Sequence, residues 1–144
     1  MKLKIRTVPD PILRQPSRPV GRIDKKLIKL ARKMAAIIAG EPTDKAQNQA
    51  QRQGVGLSAV QVGHLKRLFV VWDAERKKDL AFINPEITWR SQKLTKGIPE
   101  KENKYEGCLS VPGYWGLVKR PLAIKLKYQS LSGQKQEKRF QGFL

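Results

Sequence analysis

One run of fifteen residues restricts this chain more than any other. From Lys25 onward the apolar side chains Leu27, Leu30, Ala31, Met34, Ile37 and Ile38 recur at three- and four-residue spacing. That spacing puts them on one side of an α-helix. Asp24 stands where an N-cap accepts from the free amides of the first turn, and Gly40-Glu41-Pro42 supplies the stop. No second segment has this pattern. Leu68 to Trp72 is a short apolar, β-branched run read as a buried strand. Ala81 to Trp89 reads as another strand, which Pro85 demotes to an edge or interrupts with a bulge. Trp115 to Val118, Leu122 to Tyr128 and Glu137 to Phe143 alternate as further strands. Pro112-Gly113 and Ser132-Gly133 are read as turns between them. One amphipathic helix cannot bury its apolar face alone, so the strands must cover it. The expectation is an α+β fold in a single domain spanning 1–144, with antiparallel strands packed around one N-terminal helix.

The remaining stretches read as irregular. Pro9, Pro11, Pro16 and Pro19 make residues 1–21 an extended arm with turns. Residues 43–53 and 92–104 are polar, without periodicity, and read as loops, the first of them mobile.

Composition excludes some functions. Lys and Arg number 30 against 12 Asp and Glu, a formal charge of +18, so polyanions are favoured partners. The cations are scattered and no aromatic-basic motif accompanies them, which argues against sequence-specific nucleic-acid recognition. No apolar run approaches the roughly eighteen residues that span a bilayer, so no membrane partner is expected. The single cysteine, Cys108, cannot form an internal disulfide and fits a reducing compartment, the cytoplasm.

Chemistry concentrates in two segments. In Gly54-Val55-Gly56-Leu57-Ser58-Ala59-Val60-Gln61 the glycines allow close approach to the main chain, and Gln61 ends the turn with an uncharged donor for an oxyanion. Taken alone it reads better as an ordinary glycine loop feeding a buried helix. In Glu106-Gly107-Cys108-Leu109-Ser110 a thiol stands between Gly107, which removes steric cover, and Leu109, whose backbone amide lies beside the sulfur. A lone cysteine is most often a small buried hydrophobe, but this context pulls the other way. His64, the sole histidine, reads as a surface residue in an exposed turn.

Together the two segments resemble the first two signature motifs of the peptide deformylases, with Ser58 where alanine is usual. Pro9-Asp10-Pro11-Ile12-Leu13-Arg14, Ile83-Asn84-Pro85-Glu86-Ile87 and Val118-Lys119-Arg120 match in the expected order. The resemblance implies a divalent metal, iron first and zinc or nickel as alternatives, bound by Cys108 and two histidines. It implies Gln61 and the Leu109 amide as oxyanion donors. Val55, Gly56 and Gly107 would hold the substrate, the formyl-methionyl end of a nascent peptide, with ribosome contact through the basic surface. The third motif, His-Glu-x-x-His on a C-terminal helix, does not occur in the 144 residues. The expectation is therefore an incomplete sequence with the catalytic helix and two metal ligands absent, inactive as given and leaving strand faces bare. A catalytically dead deformylase-like peptide- or ribosome-binding protein is the alternative, and an unrelated basic RNA-binding domain the third.

Overall fold

A computed structural model describes residues 2–40, 56–73, 75–95 and 106–141. The expected helix forms as α1, Lys25–Ala39. The Asp24 carboxylate accepts from the Leu27 N–H at 2.9 Å, and Gly40 closes the C-terminus at φ +71, a conformation that suits glycine. Leu27, Leu30, Ala31, Met34 and Ile38 are buried, while Ile37 is only half-buried at the border of the stripe.

Seven strands follow among the described residues: β1 Gly56–Ser58, β2 Leu68–Asp73, β3 Lys78–Arg90, β4 Glu106–Cys108, β5 Val111–Gly116, β6 Ala123–Gln129 and β7 Lys135–Gln141. Five make an antiparallel sheet in the order β1-β2-β3-β6-β7, and β4-β5 form a separate hairpin. Successive side chains of a strand point to opposite faces, and both faces of the large sheet are apolar. Under α1 lie Leu57, Leu68, Val70 and Ile83. On the reverse face Phe82, Leu126 and Tyr128 gather with Phe69, Val71, Leu80 and Phe140. The rings of Phe69 and Phe82 stack at 4.7 Å, and those of Phe82 and Tyr128 meet at 4.5 Å. The fold is α+β, as the pattern requires.

Three local readings change. Pro85 does not make β3 an edge, because β3 lies between β2 and β6; the bulge alternative holds, with the register shifting between Ile83 and Glu86. The turn expected at Pro112-Gly113 lies instead at residues 109–110, and both residues belong to β5. A two-stranded ladder leaves one side of each strand unpaired, where proline's missing donor is tolerated, and Gly113 takes φ +82 within the strand. The strand expected over Trp115 to Val118 accordingly ends at Gly116. The loop reading for 43–53 lies outside the described residues, as does that for 92–104 beyond residue 95.

At the β3 bulge Asn84 has φ +51. Its Oδ1 accepts from the Val20 N–H at 2.7 Å, and its Nδ2 donates to the Val20 carbonyl at 2.8 Å. The proline-rich arm is thereby clamped to the sheet.

Candidate functional site

The Gly56 end of the first motif enters β1, pairing with Val71 of β2. A Cβ at Gly56 would lie 3.3 Å from both the Val70 carbonyl oxygen and Val71 Cγ1. The tight pairing therefore favours a residue without a side chain. Leu57 and Ala59 are buried beneath. The chain then turns through a 3-10 segment, Ala59–Val62, that ends at Gly63 with φ +87.

This turn fixes Gln61. The Ser58 backbone N–H donates to Gln61 Oε1 at 2.9 Å, and the Ser58 hydroxyl donates to the same oxygen at 3.2 Å. An amide whose oxygen is occupied must present its nitrogen on the other side. Gln61 Nε2 accordingly lies 3.5 Å from Cys108 Sγ and donates to Ser110 Oγ at 3.2 Å. Ser58, the departure from the usual alanine, adds a second donor to the anchored oxygen. Ser110, for which the sequence suggested no role, is 4% exposed and forms part of the same network.

The second wall is the β4-β5 hairpin. Cys108 is a free, exposed thiol. Leu109 follows it in the turn, with its side chain packed against the α1 core. Gly107 faces Trp115 across the ladder, and a Cβ there would come within 2.6 Å of the indole. Glu106 anchors the hairpin: its two carboxylate oxygens accept from Arg120 Nε and Nη2, the shortest contact being 2.7 Å. The Arg120 hydrogen bonds, opposed by some desolvation, hold the Glu106 carboxyl below its ordinary value and raise Arg120. Arg120 is itself tied to Thr95, whose N–H donates to the Arg120 carbonyl at 2.8 Å. Glu106 and Arg120 were visible in the sequence only as motif members; their pairing across fourteen residues had no local signal.

The two walls belong to different sheets, and the N-terminal arm stitches them together. The Arg6 N–H donates to the Gln61 carbonyl at 2.7 Å, and the Val8 N–H to the Ser110 carbonyl at 2.9 Å. Thus Gln61, Gly56, Gly107, Cys108 and Leu109 fall on two adjoining walls. Val55 lies outside the described residues. His64 is exposed on the turn after Gly63, as expected.

As a metal centre the described residues are incomplete. An exposed thiol facing an N–H donor suits one ligand position, since a thiolate is a soft ligand and a hydrogen-bond acceptor. Among the described residues no three His, Cys, Asp or Glu side chains cluster so as to hold a metal ion. The donor set fits one corner of a site and does not close it. None of the described helices is long and apolar enough to cross a membrane.

The family model described as polypeptide deformylase matches residues 2–144. A peptide deformylase of Bartonella tribocorum is 37% identical over 137 residues, covering 91% of this chain and 66% of that protein. One from Mesorhizobium japonicum is 37% identical over 140 residues, covering 95% of this chain and 69% of the relative. Among solved structures, the Thermotoga maritima peptide deformylase superposes with a TM-score of 0.79 at 32% identity, covering 99% of this chain and 83% of that one. The Ehrlichia chaffeensis enzyme, solved in complex with actinonin, gives 0.80 at 33% identity, covering 97% and 75%.

Proposed function

The chain belongs to the polypeptide deformylase family, and from that premise we propose that its protein is a cytoplasmic metallohydrolase acting on the formyl-methionyl end of nascent polypeptides. The observation that carries this reading is the orientation of Gln61. Its oxygen is held by Ser58 and its Nε2 is aimed at the Cys108 sulfur 3.5 Å away. A donor fixed before substrate arrives needs no reorganisation as charge develops, and one such donor is worth about 10²–10³ in rate.

Cys108 would be one ligand of a divalent metal, iron first, with zinc or nickel as alternatives. Two imidazole ligands cannot both come from a chain whose one histidine, His64, is exposed on a turn apart from this network. When bound, such a metal supplies a hydroxide at neutral pH and polarises a carbonyl. The chain's own residues do the rest. Gln61 Nε2 and the backbone N–H of Leu109 donate to the oxygen of the formyl group as it gains charge. Gly56, Gly107 and Val55 receive the peptide as an added strand along β1, which pairs with β2 on one side.

The test is formate release from a formyl-methionyl peptide by the metal-loaded protein. Gln61→Leu is expected to lower kcat about 10²-fold or more with the metal retained. A fully loaded protein that releases no formate overturns the proposal, as does a Gln61→Leu variant with unchanged kcat.

A further inference from the structure

The cations look scattered along the sequence, but folding gathers a group of them. Lys25, Lys29 and Arg32 stand at i, i+4 and i+7 of α1, opposite the buried Leu27, Leu30, Ala31, Met34 and Ile38. All three are exposed. At 1.5 Å rise per residue they form a ridge about 10 Å long. Exposed Arg22 and Lys26 extend it. Lys66 joins it from the neighbouring turn, close enough to act on the Asp24 carboxylate. Between residues 17 and 40 Asp24 is the one acid, and its carboxylate caps Leu27.

We propose that this basic ridge of α1 is a docking surface for the sugar–phosphate backbone of RNA. A bilayer is a poor fit, because a helix that binds lipid turns its apolar face outward and that face of α1 is committed to the core. A protein partner is also a poor fit, since protein interfaces centre on aromatic or arginine anchors in desolvated, well-packed pockets and the ridge presents mostly lysines on a convex, solvent-exposed helix face. An array of positive charge without anchors matches a polyanion bound through counterion release. The exposed lysines of the sheet are different in kind: Lys127 of β6 is flanked by Glu86 and Glu137 across the ladder. The choice of RNA over DNA rests on the proposed function, whose substrate emerges from an RNA-rich machine; the formate-release assay tests that function separately.

The experiment titrates the protein into a labelled RNA hairpin of about 20 nucleotides and follows anisotropy across a salt series. Lys25→Gln/Lys29→Gln/Arg32→Gln is expected to flatten the slope of log K against log salt by roughly 2–3 and to weaken binding about 100-fold at 0.1 M salt. Lys127→Gln/Lys135→Gln/Lys138→Gln removes the same charge from the sheet and is expected to weaken binding less than about 5-fold. Circular dichroism checks that both variants keep the fold, as substitutions at exposed positions should. Equal losses in the two variants would show diffuse attraction to net charge and overturn the proposal. So would tighter binding to a DNA duplex of matched length, or binding only to phosphatidylserine vesicles.

Discussion

Asn84 offers a test of how the arm is held. Replacing it with alanine removes both hydrogen bonds to Val20, each worth about 0.5–1.5 kcal/mol net. It also leaves a residue with a Cβ at φ +51, a conformation asparagine tolerates and alanine adopts at a further cost of roughly 1 kcal/mol. The total is about 2–4 kcal/mol against a domain stability of about 5–15 kcal/mol. Asn84→Gly loses the same bonds without the backbone term, so it should be less damaging than alanine by about 1 kcal/mol. Urea unfolding followed by tryptophan fluorescence measures both variants. Limited trypsin digestion gives a local readout, since a released arm frees the backbone after Arg14 and Arg22 for cleavage ahead of global unfolding. Losses below about 0.5 kcal/mol in both variants, within the range of ordinary surface substitutions, would show that the clamp contributes nothing. Glycine as damaging as alanine would refute the backbone part of the reasoning.

Three further outcomes are expected. Glu106, whose folded pKa is depressed by Arg120, stabilises the fold above its unfolded value near 4.5 and loses that contribution as pH falls through the folded value. The stability gap between the parent and Glu106→Gln should therefore close on acidification in urea melts, and a gap unchanged from about pH 7 to about pH 3 would contradict the pairing. A polypeptide of these 144 residues should retain no stoichiometric metal through dialysis, because one thiolate does not make a closed ligand set. In metal-loaded protein, Cys108→Ser should sharply reduce metal content by mass spectrometry. Tyr114 and Trp115 are 76% and 71% exposed, and Ile87 and Trp89 nearly half exposed, so the 144-residue polypeptide should bind an apolar-surface dye and aggregate on heating. A monomer with a sharp melt and no dye signal would count against this.

Legibility in the sequence followed the range of the interactions. The helix and its Asp24 cap were readable because spacing and capping act within a few residues. The strand at Leu68–Asp73 was readable as a continuous apolar, β-branched run and that at Ala123–Gln129 by its alternation, whereas β1 was hidden inside a segment that reads as a glycine turn. The reverse cluster of Phe82, Tyr128 and Phe140 was not, since an aromatic residue in a strand carries no mark of which face it joins. Pro112-Gly113 misled because a turn signature and an unpaired edge both tolerate proline. Gln61 and Cys108 were identifiable as candidates from their motifs. The Ser58, Ser110 and Arg120 contacts that orient them depend on chain segments brought together only by folding.

The walls of the site meet along a seam. Each is backed by its own β-ladder, but among the described residues the bonds between them are few: Gln61 to Cys108 and Ser110, and the arm's Arg6 and Val8 to Gln61 and Ser110. Regions held by few bonds open at lower free energy than the elements they join. Warming should therefore part the seam while both ladders remain intact, so that Gln61 loses sight of Cys108 below the melting temperature. Loss of the Gln61–Cys108 contact is then an event distinct from unfolding, and residues 2–8 act as its hinge pin.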